Sequence, residues 1–136
     1  MYFETVEHIV IRRSFLEQLN GNGIVVYGRA QDVEIANNRL SQIGMNGIAI
    51  VPKTFFRVNA YRQPTISKLL HSTRANVSYN RVLDFGTVLT QSAAILLVGN
   101  RRTTREWNLV HDFPPGATSY QILNAGKLHR PDRRGD

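Results

Sequence analysis

Apolar residues recur along this chain at an interval far longer than any helical or strand period. In Val33–Ile50 (VEIANNRLSQIGMNGIAI) they fall at Val33, Ile35, Leu40 and Ile43, with Asn38 between them and Gly47, Ile48 and Ile50 closing the segment. The same order occurs 24 residues earlier at Ile9, Ile11, Ser14, Leu16, Leu19, Gly23, Ile24 and Val26. It returns 42 residues later, where Val77, Asn80, Val82, Phe85 and Gly86 match Ile35, Asn38, Leu40, Ile43 and Gly44. Asn108, Val110 and Phe113 follow 28 residues beyond those. A repeat of this length implies a solenoid, whose coils bury their apolar edges only against one another.

Each coil divides into three short extended pieces. Gly23–Tyr27 alternates as a half-buried strand does, and Gly28–Gln31 turns the chain. Asp32–Asn37 puts Val33 and Ile35 on one face; Asn37-Asn38 makes a corner, because asparagine tolerates the left-handed conformation. Arg39–Ile43 is the third piece. Stacked coils lie about 4.8 Å apart, so Ser14, Asn38, Asn80 and Asn108 form a corner column that bonds amide to amide. Leu16, Leu40, Val82 and Val110 make one apolar column, and Leu19, Ile43, Phe85 and Phe113 another. The expected fold is all-β: a single-stranded parallel β-helix of about four coils over residues 1–124, near 6–31, 32–51, 75–99 and 103–122. A leucine-rich-repeat solenoid is the alternative, since Ala30-x-x-Val33-x-Ile35-x-x-Asn38-x-Leu40 fits its consensus. That fold needs a helical or tightly turned second half, whereas Gly-Ile-x-Val/Ile favours strand.

The pattern N-x-I…G…G-I-x-I, best seen in Asn38-Arg39-Leu40…Gly44…Gly47-Ile48-Ala49-Ile50, resembles the right-handed parallel β-helix (pectate-lyase-like) repeat. Asn108-Leu109-Val110-His111-Asp112-Phe113 resembles the N-L-I-H-D stretch of glycoside-hydrolase-type β-helices. The resemblance covers residues 6–51 and 75–122. It implies a right-handed coil, and it spans lyases, hydrolases, epimerases, phage spikes and adhesins. Such helices usually have many more coils, so the chain reads as a fragment or as one protomer of something larger.

The repeats are interrupted once, at residues 52–74 (PKTFFRVNAYRQPTISKLLHSTR), read as a long inserted loop. It stands where Gly28–Gln31 stood one coil earlier, and Asn100–Arg105 takes that place one coil later. Insertions in a solenoid collect on one face, often the binding face. With Arg29, nine of the seventeen Lys and Arg residues lie along this edge. Phe55, Phe56 and Tyr61 give it an aromatic character; packing of the two phenylalanines back on the stack is the alternative to ligand binding. In the fourth coil Thr103 and Arg105 replace Val33 and Ile35. Residues 125–136 read as a disordered basic tail.

Composition adds a few limits. The net charge of +7 and pI near 10.4 point to polyanionic partners, whether acidic polysaccharide, acidic lipid or nucleic acid. The chain has no cysteine, so disulfides and thiolate metal sites are excluded. No apolar run reaches the roughly 18 residues of a membrane span, and the first fifteen residues lack a secretory signal pattern. No G-x-S-x-G, phosphate loop or H-E-x-x-H occurs.

The register exposes one chemical pairing. Asp84 and Asp112 occupy the same position on neighbouring coils, above Gln42 and Gln18. Two carboxylates about 5 Å apart suit a shared proton, a calcium site or the acid–nucleophile pair of a retaining glycosidase. Alternatively each caps the turn that follows it. His111 adjoins Asp112, although strand alternation would point the two apart. His8, His71 and His129 are scattered, so no histidine metal site is expected. Arg39 and Arg81 stack beside the asparagine column, a like-charge pair that an anion would relieve.

These readings favour a carbohydrate-recognising β-helix belonging to a larger polysaccharide-processing protein of hydrolase or lyase type, extracellular or periplasmic. Asp84, Asp112 and His111 are its candidate catalytic residues. Arg57, Arg62, Arg101 and Arg102 would bind acidic groups, and Tyr61 or Phe56 would stack on sugar rings. Calcium is the one cofactor the residues could take. The alternatives are a non-catalytic surface module, such as an adhesin or spike, self-associating through its coil ends, and nucleic-acid binding by the basic edge, the less favoured partner because it rests on charge alone.

Overall fold

A computed structural model describes residues 1–58, 64–70 and 73–123; for residues 54–58, 64–70 and 101 it describes the backbone alone. The described residues form strands and no helix. The strands are β1 (Tyr2–Arg12), β2 (Phe15–Leu19), β3 (Ile24–Ala36), β4 (Arg39–Ile43), β5 (Ile48–Val51), β6 (Lys53–Val58) and β7 (Pro64–Leu70). They continue as β8 (Thr73–Ser78), β9 (Arg81–Phe85), β10 (Ala93–Val98), β11 (Arg101–Glu106), β12 (Leu109–His111) and β13 (Thr118–Leu123).

Apart from β6 and β7, every pairing is parallel, and the strands stack as a β-solenoid of about four turns. Three faces result. Face A runs through the start of β3, then β5, β10 and β13. Face B runs through the later parts of β1 and β3, then β8 and β11. Face C is β2, β4, β9 and β12. The long strands β1 and β3 bend around the corner between A and B, which joins those faces into one sheet. The leucine-rich alternative is excluded, since all three pieces of each coil are strand.

The register matches the repeat. Ile11, Ile35 and Val77 are Cα partners in turn, as are Leu16, Leu40, Val82 and Val110. Ile24, Ile48 and Ile95 form a third column that is fully buried. Each such side chain contributes about 1.5–3 kcal/mol, and together they make the core. Gly47 is one of the glycines that allow close approach between coils: a Cβ there would lie 2.6 Å from both Ala94 O and Val82 Cγ1.

Inward residues three apart, such as Leu40 and Ile43, violate strand alternation. The backbone resolves this with left-handed residues. Gln18, Gln42, Asp84 and Asp112, all with φ of 52–58°, occupy one stacked position on face C. His8, Asp32, Arg74 and Arg102 form a second left-handed column at the start of face B. Arg13, Asn37, Tyr79 and Trp107 form a third at the corner between B and C. Thr5, next to Gly28, marks the corner between A and B. Apart from Thr5, every non-glycine positive φ among the described residues belongs to one of the three columns.

The asparagine ladder sits one residue past the third column. Asn38 Oδ1 accepts from Ser14 N–H (2.9 Å), Asn80 Oδ1 from Asn38 N–H (3.1 Å), and Asn108 Oδ1 from Asn80 N–H (3.0 Å). Each amide nitrogen also reaches back one coil, Asn38 to Ile11 O, Asn80 to Ile35 O and Asn108 to Val77 O, at 2.8–2.9 Å. A second, shorter ladder joins Asn22 Oδ1 to Asn46 at the turn between C and A, and Asn46 Oδ1 then accepts from Ala93 N–H.

Residues 52–74 are not simply a loop. β6 and β7 pair antiparallel, and Thr73 already opens β8. Lys53 Nζ lies 2.9 Å from Glu4 Oε1 and ties the base of this hairpin to the first coil. The tail at 125–136 lies outside the described residues.

Replacing Asn80 by alanine removes the acceptor for Asn38 and the donor to Ile35 O inside the stack. Unfolding in urea should show a loss of about 2–4 kcal/mol. The same change at Asn108, in the last coil, should cost less. Equal losses at the two positions would show that the ladder does not act as a continuous column.

Candidate functional site

Face C carries a row of outward side chains at one position on successive coils: Phe15, Arg39, Arg81 and Leu109. Phe15 is 58 % exposed and Leu109 55 % exposed, so neither contributes to the core. Arg39 Cζ lies 5.5 Å from the centre of the Phe15 ring, a cation–π contact. Among the described residues neither Arg39 nor Arg81 has a carboxylate partner. Backbone bonding holds the two arginines on adjacent rungs, with Arg81 N–H donating to Asn38 O at 2.8 Å. Their repulsion cannot relax by sliding.

At the end of this row Arg81 Nε–H donates to His111 Nε2 (3.3 Å), and His111 Nδ1 lies 2.7 Å from Asp112 Oδ2. Arginine only donates, so His111 Nε2 accepts and the hydrogen sits on Nδ1, donating to Asp112. The expectation that His111 and Asp112 point apart is thus corrected. Asp112 has a φ of 56°, and this left-handed turn breaks the alternation on which the expectation rested.

Asp84 and Asp112 are stacked, as their position in the repeat implies: Asp84 N–H donates to Asp112 O at 2.8 Å. Neither carboxylate accepts a backbone N–H among the described residues, so neither caps a turn there. The left-handed backbone they share with Gln18 and Gln42 gives a local reason for a short polar residue. The two differ in surroundings. Asp112 is bonded to His111, whereas Asp84 has no side-chain partner among the described residues.

Face B is electrostatically different. Arg12 forms a fork with Glu34, at 2.7 and 2.8 Å. Asp32 is held between Arg74 Nε (2.7 Å) and His8 Nδ1 (3.2 Å). His8, Asp32, Glu34 and Arg74, with Val10, Val33 and Asn76, line a shallow groove of about 290 Å³. The Arg12 hydrogen bond holds the Glu34 carboxyl below its ordinary value, and the Lys53 hydrogen bond does the same for Glu4. Acids and bases on the earlier rungs of face B largely satisfy one another; the arginines of face C, like Arg102 and Arg105 on the last rung of face B, have no carboxylate partner among the described residues.

Arg102 belongs to the left-handed column of face B, on the rung next to Arg74. The aspartates are on the other sheet, so the structure does not bring Arg102 and the aspartates onto one face. For Arg57 and Arg101 only the backbone is described, in β6 and β11, and Tyr61 and Arg62 lie outside the described residues. No cluster of three or more His, Asp or Glu able to hold a metal occurs among the described residues. A cleft of about 360 Å³ opens at the last coil, lined by Leu97, Asn100, Thr103, Arg105, Ile122 and Leu123. Asn100 Oδ1 and Thr103 Oγ1 are buried there without a partner. Both occupy the last coil of the repeat, where polar residues replace the inward apolar ones.

The chain matches no protein-family model, no curated protein and no solved structure in the comparisons made.

The Arg81–His111–Asp112 chain predicts that neutral His111 is the Nδ1–H tautomer, which nitrogen-15 shifts of the ring would report. An Nε2–H tautomer would show that Arg81 is not its donor. On face B the sign of the acid response follows from a lowered carboxyl pKa. The Arg12–Glu34 pair contributes stability above about 4.5, the ordinary value of Glu34, and loses it as the pH falls through the lower folded value. The melting-temperature difference between the wild type and Glu34→Gln should therefore shrink on acidification below that point. A difference independent of pH would contradict it.

Proposed function

We propose that the protein is a right-handed β-helix of the pectate-lyase-like kind, and that it binds an acidic polysaccharide along face C. The right-handed hand is supported by the strong general preference of parallel crossovers. The glycan reading rests on one observation: Arg39 and Arg81 are stacked on adjacent rungs without an acid partner, between the exposed apolar side chains of Phe15 and Leu109. Two guanidinium groups in such a row suit carboxylates repeating along a polymer. Phe15 offers an apolar surface to a sugar ring. Asp84, Asp112 and His111, at the same end of the face, can accept or exchange hydrogens with hydroxyl groups.

A second reading gives the face a catalytic role in glycosidic cleavage. It is favoured by the unlike surroundings of two carboxylates on neighbouring rungs, a pattern that separates acid from base. In that reading the protein is part of a larger polysaccharide-processing assembly, and Asp84→Asn abolishes the release of new sugar ends without abolishing binding.

Calorimetry with uronate-containing and neutral oligosaccharides of equal length tests the main reading. The uronate chains should bind, and more weakly as salt is raised. Arg39→Ala and Arg81→Ala should each reduce affinity roughly tenfold, as expected for charge-assisted hydrogen bonds. Equal affinity for both classes of sugar, or an unchanged affinity in the double variant, would overturn it.

A further inference from the structure

Beside the arginine row, at the corner between faces B and C, the third left-handed column reads Arg13, Asn37, Tyr79, Trp107. Asn37 suits that conformation. Tyr79 and Trp107, each with a φ of 55°, do not: a bulky aromatic at positive φ is an outlier that costs stability. Burial does not offset this cost, since Tyr79 is 57 % exposed and Trp107 74 % exposed. Neither ring has a hydrogen-bond, ring or cation partner among the described residues. The two sit on adjacent rungs, Tyr79 N–H donating to Glu106 O, and Arg81 and Leu109 follow two residues after them. Two large rings thus stand strained, exposed and unpartnered on consecutive coils beside the unpaired arginines.

We infer that Tyr79 and Trp107 form a stacking platform for sugar rings of the acidic glycan, extending its site from face C around the corner. The inference rests on the glycan reading above and adds to it a ring-binding subsite. Aromatic faces bind the apolar C–H side of a sugar ring, while its carboxylate reaches Arg81. The rings stand on two adjacent coils and the arginines on two, and the coil that carries Tyr79 and Arg81 offers both contacts.

Trp107 is the only tryptophan in the chain, so its emission reports on the platform directly. Uronate oligosaccharide should shift that emission in a saturable way, in step with binding measured by calorimetry. Tyr79→Asn copies the residue of the preceding coil. It should raise the melting temperature by roughly 3–5 °C, by relieving strain, while weakening binding about tenfold. Trp107→Asn should behave alike. Full affinity in both variants, with no emission change in the wild type, would overturn the platform and leave the arginine row intact. A lowered melting temperature in both variants would mean that the rings stabilise the fold, and would also overturn it. No binding by either readout would defeat the glycan reading and the platform together. A shift caused by single-stranded oligonucleotide and not by the glycan would reject the sugar as occupant.

Discussion

The stack depends on the left-handed corner residues. A coil with three faces must turn its chain while keeping each strand in register with the one before, and the corner between B and C is made on every coil by a residue with φ of 51–57°. Because these residues stack, the turns stack, and the apolar residues on either side fall into columns. A left-handed residue within face C lets Leu40 and Ile43, three apart, both face inward; the same holds for Val82 and Phe85. Each left-handed residue costs of the order of 1–3 kcal/mol. The ladder next to the third column supplies several hydrogen bonds per asparagine, and each buried group left unpaired would cost a similar amount. The ladder therefore outweighs the corner it follows, and the corner positions the ladder.

Much of this was legible in the chain. Apolar columns and the Ser14–Asn38–Asn80–Asn108 column were readable because burial allows few residue types, and those types recur at the coil length. Apart from the corner at Asn37, the left-handed columns were hidden. His, Asp, Arg, Gln, Tyr and Trp occupy them, and their outward side chains leave composition unconstrained. That is also why the contact between His111 and Asp112 was misread: alternation is a rule for extended backbone, and Asp112 is not extended. The Asn22–Asn46 ladder carried a signal, 24 residues apart and each before a glycine. It continues into the backbone of Ala93, where no third asparagine marks the column. The hairpin within 52–74 was obscured because its strands pair with each other and not with the stack, so the coil period says nothing about them.

The basic charge also becomes more specific. A net charge of +7 suggests a polyanion without saying where it sits. Arg12 and Arg74 on face B, and Lys53 at the hairpin base, each lie beside a glutamate or aspartate. Arg39 and Arg81 do not. Exposed ion pairs contribute little to stability, so the pairing on face B matters mainly because it cancels the field there. What remains for a ligand lies on face C and its corner, and on the last rung of face B, where Arg102 and Arg105 have no carboxylate partner among the described residues.

Strain then separates two kinds of candidate. Asp84 and Asp112 look like a catalytic pair when only their stacking is considered, yet aspartate, with its short polar side chain, is a residue that tolerates the left-handed backbone of this position. Their presence is explained by the backbone whether or not they do chemistry. Tyr79 and Trp107 are the opposite case, since the corner disfavours them and the core gains nothing from them. Asn37, one coil earlier, shows that a better-suited residue fits the same position. A feature that costs stability and buries nothing is better evidence of binding than one that the fold already accounts for. By that measure the aromatic corner carries more functional weight than the aspartates, although the aspartates stand out more readily in the repeat.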